Sequence, residues 1–348
     1  GNQAIMTPWD ICYFDHYQGS KLFEPMAQSG FLPLEKVYNW EPIPSEIKLE
    51  QRDKILGGQA NLWAEYMPDY KQAEYMIYPR LLALSEVLWA THYRDYKDFT
   101  ERLVEAQQRL DYGGINYHIP LPEGPQAQYV EFVDSVEVTL ANSLGYEIFY
   151  WTNQTNWTNW TSTTNLFNTT LLRAYTTFNG RNSDTIEVYY NKLSAPHPAA
   201  KHLLHNGLYR QRAYGYFPNT DSLDYVRFDI TDLVDSLIYD RNDTYFEPWI
   251  EVYQGYMKVD STDSYLITTD LEELWVDDVR VINNNGRLKR NQTQRALMVL
   301  EEGFHSIKAV YNNCVNDGFP AHWRKPEIRI KSLEEKEFRV LRPKDFYR

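Results

Sequence analysis

The hydrophobic pattern of this 348-residue chain changes at one place, and that change restricts the fold more than any other feature. Residues 1–115 alternate short apolar segments with helical patterns, which is typical of βα units. The segment 119–125, Ile-Pro-Leu-Pro-Glu-Gly-Pro, has the composition of a linker. Beyond it, apolar residues recur mainly at every second position, as in strands that bury one face. The sequence therefore predicts an α/β part followed by an all-β part.

Two helices stand out in the first part. The spacing of apolar residues over 98–110 predicts an amphipathic helix, with Asp95 or Asp98 as its N-cap. The run 75–89 is apolar almost all round and predicts a deeply buried helix. Pro79 either kinks that helix or occupies its first turn. Both helices accompany short strands, of which Ala4–Met6 and 55–62 are the clearest.

The all-β part divides into two groups of predicted strands, separated by a second linker at 194–198. The first group consists of the segments 136–140, 146–151, 172–178 and 184–190. The second group consists of 225–229, 255–259, 264–267, 273–282, 296–300 and 303–311. Several short strands with turns between them indicate β-sandwiches rather than a parallel sheet.

Two aromatic residues are each followed, two positions later, by a carboxylate: Tyr13 with Asp15, and Trp63 with Glu65. Each pair comes just after an apolar strand, and residues two apart in an extended segment share one side. A sugar ring packs its C–H face on an aromatic ring, and its hydroxyls donate to a carboxylate. Aromatic core residues and solvated acidic caps fit the same pattern, so either pair alone supports both interpretations.

Five segments of the first third resemble the β-N-acetylhexosaminidases, the family-twenty glycoside hydrolases. The matching segments are 5–8, 12–18, 55–66, 73–89 and 109–120. The resemblance implies that residues 1–118 are the C-terminal portion of a TIM-barrel catalytic domain, the last βα units of a (β/α)8 barrel. Such a portion is expected to expose an apolar side or to cover it by self-association.

The same resemblance assigns roles to the four residues of the pairs. Tyr13 would donate to the acetamido oxygen of the substrate, Asp15 and Glu65 would bind hydroxyls of the terminal sugar, and Trp63 would form a wall of the pocket. The family uses substrate-assisted retaining catalysis, an exception to the two-carboxylate scheme, with an adjacent Asp-Glu pair. No Asp-Glu dipeptide occurs in the sequence. The pair is expected on an earlier barrel strand, so the parent protein is expected to be a glycosidase and this chain alone inactive.

The later segments also resemble known modules. Residues 126–194 are similar to the small immunoglobulin-like β-sandwich that follows the barrel in bacterial hexosaminidases, and residues 202–340 resemble the protective-antigen-type β-sandwich. Members of the second class often bind glycans through paired Asp on calcium. Here the corresponding stretch is 269–273, Thr-Asp-Leu-Glu-Glu, while Asp277-Asp278 falls at a turn. A scaffold or docking role is therefore preferred, and no metal or cofactor is expected.

Composition excludes some partners. The net charge is −13 and the pI about 5.1, which opposes binding to nucleic-acid phosphates. Cys12 and Cys314 lie far apart and no disulfide is expected. The sequence shows neither a signal peptide nor a membrane-spanning stretch. A periplasmic or extracellular location and N-acetylhexosamine-containing glycans as substrates follow from the family resemblance.

The sequence is compatible with two functions. In the first, the chain is part of an enzyme that removes terminal β-linked N-acetylhexosamine. The second is a non-catalytic carbohydrate-binding or interaction module. The segment 153–161 bears on the second function, because its Asn- and Thr-rich stretch holds Trp157 and Trp160. It is either a polar hairpin loop, which the composition favours, or a platform on which sugars stack.

Overall fold

The computed structural model describes residues 2–90, 94–200, 205–238, 248–285, 294–313 and 325–348. Its first part alternates strands and helices, as the pattern predicted. The elements are β1 (Ala4–Met6), α1 (Trp9–Cys12), β2 (His16–Tyr17), β3 (Gln28–Phe31), α2 (Leu34–Tyr38), a 3-10 helix (Leu49–Lys54), β4 (Ile55–Gly58), α3 (Tyr70–Ile77), α4 (Arg80–Trp89) and α5 (Tyr96–Tyr112). Strand β1 pairs in parallel with β4, and β2 pairs in parallel with β3.

The run 75–89 is not one continuous helix. Of the two alternatives for Pro79, the structure bears out the second, in which the proline lies at the start of a helix. Helix α3 ends at Ile77, and α4 begins at Arg80 with Pro79 at its N-cap position. Proline has no N–H to donate and fixes φ, so a helix starts after it more readily than it passes through it. Burial is also incomplete, since Trp89 at the end of α4 is 88% exposed.

The predicted amphipathic helix is confirmed as α5. The side chain of Asp95 accepts hydrogen bonds from the backbone N–H groups of Lys97 and Asp98, as an N-cap does. Phe99 and Leu103 are buried on the inner face of the helix. They pack in a cluster with residues of α2 and α4, which holds the first part together.

The described residues of the all-β part form 19 strands. They are β5 (Tyr129–Phe132), β6 (Val136–Val138), β7 (Glu147–Thr152), β8 (Thr155–Asn159), β9 (Thr164–Leu166), β10 (Thr170–Phe178), β11 (Arg181–Asn182), β12 (Ile186–Lys192), β13 (Leu208–Tyr214), β14 (Ile230–Val234), β15 (Trp249–Val259), β16 (Asp263–Thr269), β17 (Glu273–Val276), β18 (Val279–Asn283), β19 (Gln294–Leu300), β20 (Gly303–Asn312), β21 (Arg329–Ser332), β22 (Arg339–Val340) and β23 (Phe346–Tyr347). The described residues also include the 3-10 helices Leu223–Tyr225 and Pro343–Asp345, which lie between strands.

A ten-stranded sheet runs through both groups of predicted strands. Its order is β22-β21-β16-β19-β5-β12-β10-β7-β8, with β11 on β10. Strand β5 lies at the centre and pairs in parallel with β12 on one side and with β19 on the other. The predicted boundaries near 194 and 202 separate the two groups of strands along the sequence. In space, however, strands of both groups lie in this one sheet.

The two faces of this sheet contribute to two different cores. Leu266 of β16 packs with Val130 and Leu172 in the core of the first group of strands. The next residue, Ile267, points the other way and packs against the seven-stranded sheet β14-β13-β15-β20-β17-β18, to which β23 is attached. Side chains alternate along a strand, so β16 is buried on both faces.

Two strand predictions in the second group need correction. The segment 225–229 was expected as a strand, but Leu223–Tyr225 is a 3-10 helix and β14 begins only at Ile230. The segment 273–282 is a hairpin of β17 and β18 rather than one strand. Its turn is Asp277-Asp278, with φ of 45° and 65°, and a pair of residues at positive φ is what a tight two-residue hairpin turn requires.

Helix α5 docks the first part onto the first group of strands. The hydroxyl of Tyr146 donates to Oε1 of Gln107 at 2.6 Å. The guanidinium of Arg181 donates to Asp111 Oδ1 at 2.9 Å and to Asn116 Oδ1 at 3.1 Å. These contacts join the C-terminal half of α5 and the residues just after it to β11 and to the residue before β7.

Cys12 is buried and unpaired, whereas Cys314 lies outside the described residues. In the portions of the chain that are described, none of the helices is long and apolar enough to cross a membrane.

Candidate active site

The two aromatic–acid pairs lie side by side because the strands that precede them are parallel. Strand β1 pairs with β4, and the pairing continues as an isolated parallel bridge between Tyr13 and Asn61. The N–H of Asn61 donates to the carbonyl of Cys12 at 2.7 Å, and the N–H of Phe14 donates to the carbonyl of Asn61 at 2.8 Å. The segment that carries Asp15 therefore runs next to the segment that carries Trp63 and Glu65.

The regular strand before Trp63 is shorter than expected. It ends at Gly58 rather than at position 62, and Glu65 lies in a turn. The structure therefore does not place Trp63 and Glu65 on one extended strand. Tertiary pairing across to Asp15 brings the acids together instead.

Asp15 is buried, with 3% of its surface exposed, while Glu65 is exposed. Burial raises the pKa of Asp15 above its ordinary value, and the negative charge of Glu65 raises it further. The backbone N–H groups of Asp15 and Trp63 and the charge of Arg80 act in the opposite direction. Within the described residues, Oδ1 of Asp15 is buried and has no hydrogen-bond partner. A buried acceptor without a partner is costly, so this oxygen suits a ligand that donates to it.

The two rings of the pairs differ in exposure. Trp63 is 54% exposed, which leaves much of its surface free for a ligand. Tyr13 is half-buried, and its ring lies 6.2 Å from that of His16 between centroids. The structure thus brings Tyr13, Asp15, Trp63 and Glu65 to one place and gives them different degrees of access to solvent.

Arg80 fixes the backbone around Asp15, and sequence reasoning did not assign it a role. Its side chain is fully buried, and its Nη1 donates to the carbonyls of His16 at 3.0 Å and Leu32 at 3.2 Å. Further hydrogen bonds go to the carbonyls of Phe14 and Met76. The guanidinium thus ties the segment on both sides of Asp15 to α3 and to Leu32, the residue after β3. The sequence offered one signal for this role, because Arg80 is a single cation within the apolar run 75–89.

A second missed group is Glu24, which balances this buried cation. Its side chain is buried, and its Oε2 accepts from the hydroxyl of Tyr75 at 2.6 Å. Its Oε1 lies 2.9 Å from Nε2 of His118. Burial lowers the pKa of Arg80 to about 9, and the negative charge of Glu24 is the first influence that opposes this shift. Glu24 therefore helps to keep Arg80 charged.

Gly30 is required beside this network. It has a φ of +134°, and a Cβ at this position would come within 2.7–2.9 Å of the His16 ring. Any side chain would displace His16 or the strand β3.

A cleft of about 900 Å³ opens next to this network, between the first part and the ten-stranded sheet. Its walls include Glu24 and His118 on one side and Arg295 and Phe338 on the other. None of the four residues of the aromatic–acid pairs lines it. The cleft is therefore a separate feature from the candidate active site.

Within the described portions of the chain, no cluster of three or more His, Cys, Asp or Glu residues could hold a metal ion. Asp277, at the turn considered for calcium, is engaged by the protein itself. Its Oδ2 lies 2.6 Å from Nδ1 of His305, and its Oδ1 accepts from the N–H of Ser306 at 2.9 Å. Its carboxylate therefore serves the hairpin turn.

The chain is similar to glycoside hydrolases of one family. The model of the glycosyl hydrolase family 20 catalytic domain matches residues 1–92. A β-hexosaminidase of Porphyromonas gingivalis is 33% identical over 362 residues, covering 98% of this chain and 46% of the relative. A chitooligosaccharidolytic β-N-acetylglucosaminidase of Ostrinia furnacalis is 34% identical over 124 residues, covering 35% of this chain and 20% of the relative. The chain spans less than half the length of these relatives.

Among solved structures, a GH20 β-N-acetylhexosaminidase from Streptomyces coelicolor aligns with a TM-score of 0.30 and 26% identity, over 36% of this chain and 24% of the other. The family match covers β1 to α4 and includes both aromatic–acid pairs. Residues 1–92 therefore match the catalytic domain of glycosyl hydrolase family 20, and the chain is similar over nearly its whole length to part of a bacterial β-hexosaminidase.

Proposed function

We propose that this chain is part of a glycoside hydrolase that removes terminal β-linked N-acetylhexosamine from glycans by substrate-assisted retaining catalysis. One observation carries the proposal: Asp15 lies beside Trp63 and the charge of Glu65, and its buried Oδ1 has no hydrogen-bond partner among the residues that the structure describes. Two carboxylates and an open indole at one place provide acceptors for hydroxyl groups and a surface for a sugar ring.

The four residues take different roles in this proposal. Asp15 and Glu65 accept hydrogen bonds from hydroxyls on the far side of the terminal sugar. Trp63 walls the pocket around the acetamido group and the ring. Tyr13 donates its hydroxyl to the acetamido oxygen and so orients the atom that attacks the anomeric carbon. Hydrogen bonds to charged acceptors contribute about 1.5–3 kcal/mol each in such a pocket.

The remaining chemistry lies with groups that this sequence does not contain. The attack of the acetamido oxygen forms an oxazolinium intermediate, and a general acid protonates the leaving oxygen. In this family an adjacent Asp-Glu pair orients the acetamide and supplies the acid, and no Asp-Glu dipeptide occurs among these 348 residues. The chain therefore binds and orients substrate, and we expect no hydrolysis by it alone.

The proposal extends to the all-β part and to location. We assign 126–194 to an immunoglobulin-like sandwich and 202–340 to a protective-antigen-type sandwich, and we place the protein in the periplasm or outside the cell. The alternation of buried and exposed positions along β10 and β12 supports the first assignment. The long antiparallel pairing of β15 with β20 supports the second.

The decisive experiment compares turnover of a chromogenic N-acetylglucosaminide by this chain and by a version extended at its N-terminus. We expect turnover only from the extended protein. In that protein, Glu65→Gln should lower kcat/KM, whereas Glu101→Gln, an exposed acid on α5, should not. Turnover by the purified 348-residue chain would refute the assignment of the chemistry to an absent pair. An unchanged kcat/KM in Glu65→Gln would refute the assignment of Glu65 to the substrate pocket.

A further inference from the structure

Among the described residues, one half of the ten-stranded sheet has a face that no other part of the chain covers. On β16 and β19 this face packs against the seven-stranded sheet through residues such as Ile267 and Met298. Tyr129 of β5 still contacts that core. Beyond β5, the same face continues over β12, β10, β7 and β8. No described residue of these four strands belongs to the core that includes the seven-stranded sheet. The opposite face of these strands forms the core that contains Leu172 and Val188.

Aromatic rings occupy this uncovered half. We name it the aromatic face and define it by Phe149, Trp151, Trp157, Tyr175 and Tyr189. Trp157 is 45% and Tyr189 41% exposed, and the other three are partly exposed. The ring of Tyr175 lies 4.8 Å from Trp157 and 5.8 Å from Phe149 between centroids. The rings thus form a surface that spans several strands rather than a pocket for one small group.

Charge at the centre of the aromatic face is balanced. Arg173 lies over the ring of Trp151, with 5.5 Å from its guanidinium carbon to the ring centroid. Its Nε donates to Oε2 of Glu187 on the neighbouring strand at 2.7 Å. A cation and an anion that neutralise each other leave a surface of rings, amides and hydroxyls. This arrangement lies in a chain whose net charge is −13.

We propose that the aromatic face binds uncharged glycan chains, with sugar rings stacked on Trp157 and Tyr175. The C–H face of a sugar packs on an aromatic ring, and its hydroxyls find partners in the Arg173–Glu187 pair. An uncharged polyhydroxylated chain complements this neutral centre, whereas an anionic partner would gain little from a cation that Glu187 already neutralises. Neighbouring rings on adjacent strands favour an oligosaccharide over a single sugar.

The structure also decides between the two tryptophans of the segment 153–161. Trp160 packs against the core of the first group of strands, with its ring edge-on to Tyr150 at 5.1 Å. Trp157 lies on the other side of the sheet and contacts Tyr175. A platform built from both tryptophans is therefore wrong, and Trp157 joins rings of β7 and β10 instead.

Binding at this face does not depend on hydrolysis, so it is tested on the 348-residue chain itself. Titration calorimetry with a β-linked N-acetylglucosamine hexamer and with a β-linked glucose hexamer gives the affinities. Trp157→Ala and Tyr175→Ala should each weaken binding by about fivefold or more, the effect of an energetically important contact. Trp157→Phe, which keeps a ring, should lose less. Tyr225→Ala, which removes a 91% exposed ring far along the chain, is the matched control and should bind as the wild type does.

The outcomes separate this site from the candidate active site. Binding that is lost in Trp157→Ala and kept in Glu65→Gln supports the aromatic face. Binding that is lost in Glu65→Gln and kept in Trp157→Ala overturns the aromatic face and leaves the proposed function standing. The absence of binding to both hexamers also overturns it. A third result would also overturn it: if the mass measured by sedimentation is lower for Trp157→Ala than for the wild type, the aromatic face binds a second copy of the chain. Circular dichroism checks that each variant is folded.

Discussion

His197, which is partly exposed, pairs with the buried Glu131 where the linker between the two groups of strands crosses the ten-stranded sheet. Nε2 of His197 lies 2.9 Å from Oε1 and 3.0 Å from Oε2 of Glu131. Tyr129 adds a hydrogen bond from its hydroxyl to Oε1 at 2.8 Å. Glu131 lies on the central strand β5, so the pair joins the linker to the seam between the two halves of the sheet.

This pair predicts a pH-dependent stability. The hydrogen bond to Glu131 raises the pKa of His197 above its ordinary value of 6.5. A raised pKa means that the protonated form is favoured by folding, so its contribution is complete below about pH 6.5 and is lost as the pH rises through the folded-state pKa. We expect His197→Gln to destabilise the protein by about 1.5–3 kcal/mol at pH 5.5, the range for a hydrogen bond between charged groups, and by less at pH 9.

Urea unfolding of the wild type and of His197→Gln across this range provides the measurement. His205→Gln, an exposed histidine elsewhere on the chain, is the control. A difference between wild type and His197→Gln that does not change with pH would contradict a charged pair.

Arg80→Met should destabilise the first part strongly. The substitution leaves the carbonyls of Phe14, His16 and Leu32 without their donor and removes the cation that Glu24 faces. Loss of one partner from such a buried charged network costs about 3–5 kcal/mol. Arg109→Met, whose side chain is 77% exposed in a surface ion pair, should cost less than about 1 kcal/mol. Equal urea midpoints for the two variants would show that Arg80 is not the anchor described.

Asp15→Asn should separate stability from function. Because burial and Glu65 raise the pKa of Asp15, ionisation opposes folding, and this cost grows as the pH rises from the ordinary value of 3.8 through the raised pKa. Asn carries no charge, so thermal melting at pH 7 should occur at the same or a higher temperature than in the wild type. In the extended enzyme, substrate binding should weaken by about 1.5–3 kcal/mol. A lower melting temperature together with unchanged kinetics would argue against a ligand-binding role.

Tyr13→Phe should act on the chemical step. If the hydroxyl orients the acetamido oxygen as it attacks, its loss lowers kcat in the extended enzyme, by about tenfold or more for one preorganised donor. Steady-state kinetics with the chromogenic substrate distinguish the cases. A variant with a raised KM and an unaltered kcat would show that Tyr13 only binds the ground state.

Exposed apolar side chains on the first part predict self-association. Ile5 and Leu56 lie on the paired strands β1 and β4 and are 55% and 58% exposed, and Trp89 is 88% exposed. Sedimentation equilibrium should show a mass that rises with concentration, and Leu56→Glu should weaken the association by about tenfold or more. Tyr112→Ala, at a 97% exposed position, is the control. A monomer at every concentration would rule out this surface as a contact.

Local patterns predicted the elements whose signals are local. Helix α5 followed from its apolar spacing and from the cap at Asp95. The two aromatic–acid pairs were found because each lies within a few residues of an apolar strand. The two pairs lie close together, however, because parallel pairing sets Tyr13 opposite Asn61. The sequence implied that proximity only through the family resemblance.

Contacts between distant residues were not predictable in this way. Glu24 and His118 are 94 positions apart, and no spacing rule relates them. The same holds for the pairing of Tyr129 with Ala296 in the ten-stranded sheet. Both depend on how complete elements pack together, which periodicity along the chain does not encode.

The central position of β5 has a consequence for anyone who divides this protein. Cutting the chain in the linker at 194–198 gives an N-terminal piece in which β5 has lost its neighbour β19 and become an edge. The C-terminal piece exposes the matching edge of β19. Two complementary unpaired edges invite recombination or aggregation, so fragments made at this linker should either reassemble into a split protein or precipitate.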